Sequence, residues 1–205
     1  MVGSYVDAHF EGTLDLFKAQ NPELFKRDGS LKSEYVQAEE IINRVEHDEM
    51  FMRYMAGETQ VIKTGELFGQ LWKIKIDSYH PGKAIVDLKI MKDFEPIYKP
   101  GMGKVNFAYA WGYDYQGAIY QAIEGNGLPF IIAGATKQKD ATDIGLFRLP
   151  QHKLDSALKI VEYKIDHFAD VKQGLVEPCR CEKCAYCRQT KKINNVVELE
   201  EVDDE

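Results

Sequence analysis

Cysteine is absent from this chain before Cys179, and all four cysteines lie between Cys179 and Cys187. Cysteines this close in sequence rarely link distant parts of a fold, so the pattern argues against a disulfide framework. The sequence also lacks a run of ~18 apolar residues and a basic-then-apolar leader at its start. We therefore expect a cytoplasmic protein without a membrane span.

An excess of positive charge is lacking as well, because the formal net charge is −7. Six acidic residues lie among the last eight positions, so the rest of the chain has a net charge of only −1. A nearly neutral body can still present a basic groove to nucleic acid. Overall charge therefore neither excludes a DNA substrate nor supports one.

The length of 205 residues suits one globular domain with a core of its own. The composition changes twice near the C-terminus, first where the cysteines begin and then where the acidic residues accumulate. We divide the chain into a domain at 1–176, a Cys-rich basic segment at 177–192 and an acidic tail at 193–205. The tail is predicted to be disordered.

Hydrophobic periodicity predicts alternating helices and strands. Helices are expected from the N-terminus to Gln20, and over Ser33–Met55, Phe107–Ile123 and Leu154–Val171. Strands are expected at Thr59–Lys63, in a hairpin over residues 72–89, at Phe130–Thr136 and at Ile144–Leu149. Gly65–Gly69 is predicted to be a turn and Asp93–Lys104 a loop near the site. This order predicts a mixed α/β fold whose central mixed sheet is flanked by helices.

The hairpin contains the most informative residues of the chain. Apolar and polar residues alternate on both sides of Pro81-Gly82, which predicts two strands joined by a tight turn. Residues i and i+2 share a face, so Asp87 and Lys89 point the same way, and the turn sets Asp77 nearly opposite Asp87. Two carboxylates and one ammonium group are therefore predicted to converge.

Opposed carboxylates destabilise a sheet unless something neutralises them, and a hard divalent cation is the usual neutraliser. This reasoning favours Mg²⁺ as the occupant. The alternative is a solvated hairpin face on which Lys75 and Lys89 pair with the aspartates, which stabilises little at a surface. The hairpin by itself leaves both interpretations open.

Two further motifs extend the pattern. Gln116 and Tyr120 lie one helical turn apart, on a predicted helix that follows the Asp-x-Lys strand. Near the N-terminus, Gly3 and Asp7 have the spacing of a Gly-x-x-x-His motif with aspartate in the histidine position. With these motifs in this order, the chain resembles RecB-like members of the PD-(D/E)xK nuclease superfamily, and is most similar to phage-type exodeoxyribonucleases.

The resemblance implies a restriction-endonuclease-like αβββαβ core and hydrolysis of DNA phosphodiester bonds. It implies metal ligation by Asp7, Asp77, Asp87 and the Leu88 carbonyl, with Mg²⁺ or Mn²⁺ as the metal. Asp77, Asp87, Lys89, Gln116 and Tyr120 are the implied catalytic residues, although Tyr120 could equally belong to the core. The expected activity is that of an exonuclease on linear DNA in phage or prophage recombination or repair, with a single-strand annealing protein as a possible partner. Self-association into a homo-oligomer is also compatible with the resemblance.

Two other functions stay open, an endonuclease of the same fold and a catalytically silent DNA-binding protein. The sequence departs from the pattern at three points. Ile76 replaces a proline before Asp77, Asp87 replaces the commoner glutamate, and Asp7 replaces histidine, which makes the site harder and more anionic. Relatives usually carry a segment before the Gly3 motif, so a missing segment could hold DNA contacts.

The cysteines form a separate candidate metal site at Cys179, Cys181, Cys184 and Cys187. Some relatives bind an iron–sulfur cluster through one early and three late cysteines. That ligand set needs a cysteine before Cys179, and this sequence has none there. Reduced thiols are the preferred interpretation, and a tetrahedral zinc site is the alternative. Of the remaining candidates, Trp72 and Trp111 are expected in the core, with a base-stacking surface as the alternative. Lys99, Lys104, Lys137 and Lys139 are expected on an ordinary solvated surface, with a phosphate-binding groove as the alternative.

Overall fold

The structure, a computed structural model, describes residues 1–196 and Glu198. Its helices are α1 (Val2–Phe10), α2 (Leu14–Gln20), α3 (Ser33–Glu46), α4 (Glu49–Met55), α5 (Phe107–Ala110), α6 (Tyr113–Glu124), α7 (Gln151–Gln173) and α8 (Ala185–Gln189), with a short 3₁₀ turn at Pro22–Leu24. Its strands are β1 (Glu58–Leu67), β2 (Gln70–His80), β3 (Ala84–Met91), β4 (Ile97–Lys99), β5 (Gly103–Val105), β6 (Phe130–Thr136) and β7 (Ile144–Arg148).

Five strands form one mixed sheet in the order β1-β2-β3-β6-β7. The β3–β6 pair is parallel, and the other neighbours are antiparallel. A parallel pair needs a crossover connection, which here includes α5 and α6. The predicted mixed α/β fold with a helix-flanked central sheet is confirmed.

The sheet has an apolar cluster on each face. One cluster joins α1, α3 and α4 to the side chains of Val86, Leu88 and Ala133. The other joins α5, α6 and α7 to Ile85, Phe130 and Ile132. Alternate residues of β3 and β6 therefore enter opposite clusters, as the period of two requires of strands buried on both sides.

Several predicted boundaries were wrong for local reasons. The N-terminal helix is divided at Gly12, whose φ of 74° is left-handed. The predicted Ser33–Met55 helix is interrupted before Asp48, whose side chain accepts a hydrogen bond from the Phe51 N–H and begins α4. The predicted Phe107–Ile123 helix is divided at Gly112, which is also left-handed.

Two predicted irregular segments are partly regular. Strand β1 continues to Leu67, so the expected turn at Gly65–Gly69 is shorter than predicted. The expected loop Asp93–Lys104 contains β4 and the start of β5, which pair as a two-stranded hairpin. Residues 193–196 and Glu198 have no helix or strand, and the rest of the predicted acidic tail lies outside the described residues.

The described residues separate into two compact units, the first Met1–Tyr163 and the second from Lys164 onward. The sheet lies within the first unit, and all four cysteines lie in the second. None of the described helices combines the length and apolar character needed to cross a membrane.

Candidate active site

The β2–β3 pairing ends where the two hairpin aspartates begin. The paired residues are Ser78 with Val86, Tyr79 with Ile85 and His80 with Ala84. In place of the next backbone contacts, the Leu88 N–H donates a hydrogen bond of 2.9 Å to Asp77 Oδ2. The N–H and C=O of one strand residue point to the same edge, so the Leu88 carbonyl also faces this opening. The two strands thus separate at the predicted metal site.

The pairing of β2 with β1, its neighbour on the other side, is also irregular at Asp77. The β1–β2 pairing passes from Thr59–Ser78 to Val61–Ile76 and omits Gln60 and Asp77. Gln60 has a φ of 56°, which is uncommon for a residue with a side chain. Ile76 and Tyr79 both join the same apolar cluster, so the alternation of faces slips between them. Irregularities of this kind redirect side chains and occur often beside active sites.

Asp87 lies in the sheet with only 2% of its surface exposed. Its Oδ1 accepts a hydrogen bond of 2.6 Å from Gln116 Nε2 on α6. Its Oδ2 contacts the ammonium group of Lys89, two residues along the same strand. The predicted common direction of Asp87 and Lys89 is therefore seen, and burial of Asp87 argues against the solvated hairpin face.

Asp7 reaches the same place from helix α1. Asp7, Asp77, Leu88 and Gln60 line one small cavity, closed by the apolar side chains of Phe10 and Met55. Gln60 Oε1 is buried in this region and has no hydrogen-bond partner among the described residues. The motif residue Gly3 lies one turn earlier in α1, where an added Cβ would meet Ile90 Cβ at an ordinary 3.9 Å.

The carboxyl groups are unfavourably placed for negative charge. Burial, and then the neighbouring Asp77, raise the pKa of Asp7 to about 7. Burial raises the pKa of Asp87 to about 6 against the opposing attraction of Lys89, and burial also raises the pKa of Asp77. Burial disfavours the Lys89 ammonium group, but Asp87 and then Asp77 raise its pKa above the ordinary value.

These residues fit a hard divalent cation. Three carboxylates and one ammonium group leave a charge of −2 when all are ionised, which one such cation neutralises. All the available ligand atoms are oxygens, from carboxylates, the Leu88 carbonyl and the unpartnered Gln60 amide. Oxygen-only sites with this charge suit Mg²⁺ or Mn²⁺. The sequence does not mark Gln60 as a site residue, because nothing in its local pattern predicts a left-handed strand residue.

Tyr120 lies on the same helix as Gln116 but supports a different part of the site. Its hydroxyl donates a hydrogen bond of 2.9 Å to the Lys75 carbonyl, two residues before Asp77. Its ring packs edge-on against Phe130 with centroids 5.9 Å apart. Tyr120 therefore joins α6 to both β2 and the core, and its catalytic role stays a prediction.

The surface beside the site differs from expectation at one tryptophan. Trp111 was predicted in the core, but 62% of its surface is exposed. The ammonium group of Lys99, on β4, lies 5.8 Å from the centre of the Trp111 ring. Trp111 precedes Gly112, where the chain turns sharply into α6, and this turn directs it outward. Trp111 also lines a groove with Ile90 and Tyr113, the neighbours of Lys89.

The structure brings together three of the four cysteines. The Sγ atoms of Cys181, Cys184 and Cys187 lie within 4.8 Å of one another. Cys179 is not in this group, and its Sγ lies 3.5 Å from His167 Nε2. All four are free thiols.

A mixed sheet whose β2–β3 pair presents Asp77, Asp87 and Lys89, supported by Gln116 from the following helix, defines a PD-(D/E)xK-type nuclease fold. The chain belongs to the family described as a PDDEXK-like domain of unknown function, DUF3799, which matches residues 1–190.

A solved structure agrees with this assignment. The chain is 50% identical to a candidate exonuclease from Eubacterium rectale, with a TM-score of 0.89. The similarity covers 96% of this chain and 76% of that protein. No curated protein matches the chain. Together, the family and the structural neighbour support a nuclease, with DNA as the implied substrate.

Proposed function

We propose that the protein is a Mg²⁺- or Mn²⁺-dependent deoxyribonuclease that degrades linear DNA from its ends. The observations that support this most directly are the cavity lined by Asp7, Asp77 and Leu88 and the buried Asp87 beside it, which pairs with Lys89. Burying three carboxylates together is costly, and a cation offsets that cost. The name of the Eubacterium rectale neighbour supports the exonuclease assignment.

Asp7, Asp77, Asp87 and the Leu88 carbonyl would hold the cation, with Gln60 Oε1 as a further oxygen. When bound, a divalent cation of this kind polarises the scissile phosphate and lowers the pKa of a nucleophilic water. Lys89 is placed by Asp87 and stabilises negative charge that develops on the phosphate. Gln116 fixes the orientation of Asp87, and Tyr120 fixes the strand segment before Asp77.

The groove beside Lys89 is our candidate path for the DNA strand. Trp111 offers an exposed ring for stacking, and Lys99 beside it offers a positive charge for the phosphate backbone. The β4–β5 hairpin, whose Ile97 lines this groove, also has exposed Tyr98 and Met102 side chains. Lys92 and Lys137 line the same groove together with Asp93 and Glu95, so the two ammonium groups are the candidate phosphate contacts there.

The cellular role follows the same resemblance. We infer that the enzyme acts in phage or prophage recombination or repair in the cytoplasm, together with a single-strand annealing protein and with self-association possible. Copurification of such a protein encoded beside it would test this partner, and light scattering of the pure enzyme would give its oligomeric state.

The test uses purified full-length protein with Mg²⁺ and three labelled DNAs: linear duplex, end-blocked linear duplex and covalently closed circle. We expect nucleotide release from the linear duplex alone, and its loss in EDTA or in the Asp87→Asn variant. Cleavage of the circle would make the protein an endonuclease. Tight DNA binding without release by the wild type would make it a silent binding protein and overturn the proposal.

A further inference from the structure

The three clustered thiols belong to a segment that has little else to organise it. Among the described residues from Lys164 onward, Cys187 is the one buried side chain. Small units without an apolar core usually depend on disulfides or a structural metal. Neither the nuclease site nor its cation explains why three thiols meet here.

The spacing of the sulfur atoms fits a metal rather than a disulfide. The Sγ atoms of Cys181 and Cys187 are 3.9 Å apart. A disulfide requires a separation of about 2.05 Å. Four sulfurs placed tetrahedrally at about 2.3 Å from zinc lie about 3.8 Å from one another. The observed separation therefore matches two ligands of one tetrahedral site.

Two backbone N–H groups of this segment are directed at sulfur atoms. The Cys184 N–H donates to Cys181 Sγ at 3.3 Å, and the Cys187 N–H donates to Cys184 Sγ at 3.4 Å. The turn between Cys181 and Cys184 is made possible by Glu182, whose φ of 56° is left-handed. Thiolates are the form of cysteine that binds metal, and N–H groups directed at sulfur favour that form.

Arg180 holds the ends of the segment together. Its Nη2 donates to the Cys187 carbonyl at 2.7 Å, and its Nη1 donates to Thr190 Oγ1 at 3.0 Å. These bonds connect the residue before Cys181 to the end of α8. The thiols are therefore held near one another by contacts that do not involve sulfur.

We propose that Cys181, Cys184 and Cys187, with Cys179 as the fourth ligand, bind one structural Zn²⁺ ion. Structural zinc sites are almost always closed by four protein ligands. Cys179 is the remaining thiol and lies two residues from Cys181. Its contact with the exposed His167 is weak, so a bond to the metal can replace it. Binding of zinc releases the thiol protons and leaves sulfur in its reduced state, so no oxidant is needed.

The experiment measures metal in the full chain, purified under reducing conditions without chelator. Elemental analysis should give one zinc per chain in the wild type and less than about a tenth of that in Cys181→Ser and Cys184→Ser. Tyr186→Ala is the matched control, because this exposed side chain lies in α8 between two ligands and carries no thiol. It should retain wild-type zinc. Unchanged melting of the nuclease domain would show that the serine variants are folded.

Cobalt substitution tests the ligand set independently of nuclease activity. Co²⁺ should give thiolate-to-metal charge-transfer absorption, and Cys179→Ser should reduce its intensity by about a quarter. An unchanged spectrum in Cys179→Ser would overturn the assignment of the fourth ligand. Wild-type protein that contains iron in place of zinc, or that binds neither zinc nor Co²⁺, would overturn the site.

Discussion

Gln116 on helix α6 donates a hydrogen bond of 2.6 Å to Asp87 in the neighbouring strand β3. The bond leaves the other carboxylate oxygen of Asp87 directed at Lys89. A helix residue thus fixes the orientation of a strand carboxylate that is almost fully buried. This links the packing of α6 on the sheet to the geometry of the proposed metal site.

Replacing Gln116 by leucine should lower kcat by about 10–100-fold, the usual cost of losing a partner that orients a metal ligand. The fold should persist, because leucine has nearly the same volume. Steady-state digestion of linear duplex DNA measures the effect. Tyr115→Phe is the control, since that neighbouring side chain is exposed, and it should retain full activity. A Gln116→Leu variant with the wild-type rate would contradict the positioning role.

Replacing Lys89 by methionine should reduce kcat by about 10²–10³-fold, because it removes the group that stabilises charge on the phosphate. The affinity for Mg²⁺ should not fall, since loss of the ammonium changes the local charge from −2 to −3. Calorimetric titration separates the two effects. Lys75→Met is the control, because Lys75 pairs with Glu11 at the surface. Lost metal binding in Lys89→Met would assign Lys89 a structural role instead.

The stability of the metal-free protein should fall as the pH rises. The pKa of Asp7 is raised to about 7 and that of Asp87 to about 6, both from 3.8, so the folded protein binds these protons more tightly than the unfolded chain. The stabilisation from the bound protons is complete below about pH 4 and is lost as the pH rises through those folded values.

Melting temperatures in EDTA, measured from pH 5 to pH 8, check this dependence. The Asp7→Asn variant isolates one contribution, and its advantage over the wild type in EDTA should increase with pH. Added Mg²⁺ should raise the wild-type melting temperature more at pH 8 than at pH 5, because protons compete with the cation. If the difference in melting temperature between Asp7→Asn and the wild type were constant from pH 5 to pH 8, Asp7 would not have a raised pKa in the folded protein.

Gln60→Leu should weaken Mg²⁺ binding by about tenfold, which is the lower end of the effect expected for a residue at a metal site. Gln60→Glu should strengthen binding, because it adds a negative charge where the amide oxygen now lies. Calorimetry and Mn²⁺ electron paramagnetic resonance report binding without turnover. Thr64→Val, an exposed change on the same strand, should have no effect. Equal Mg²⁺ affinities in all four proteins would remove Gln60 from the site.

Gly117→Ala should destabilise the fold by about 1–3 kcal/mol, the usual cost of overpacking. An added Cβ would lie 2.8 Å from the Phe130 ring and 3.1 Å from Leu154, so α6 would have to move from the sheet. Gly3→Ala is the matched helical control, because its added Cβ meets Ile90 at 3.9 Å. Chemical denaturation should show that Gly3→Ala is neutral or slightly stabilising. Equal stability of the two variants would contradict the tight α6 packing.

Much of the fold could be predicted because its cause is local. Alternation in β3 fixes which side chains share a face, so the shared direction of Asp87 and Lys89 follows from their spacing alone. Helix periodicity likewise placed Gln116 and Tyr120 on one face. The breaks at Gly12, Asp48 and Gly112 were missed because apolar periodicity continues across them, while backbone conformation and capping decide where a helix stops.

The sequence by itself determined the chemical groups of the site and their order along the chain. Only the tertiary structure decided that Asp7 and Gln60 line one cavity with Asp77, that the Gln60 amide oxygen is buried without a partner among the described residues, and that three of the four thiols converge while Cys179 lies against His167. The physical reason is the distance along the chain over which each effect acts. Periodicity acts over a few residues, whereas these contacts join segments whose separation is set by packing of the whole sheet and its helices.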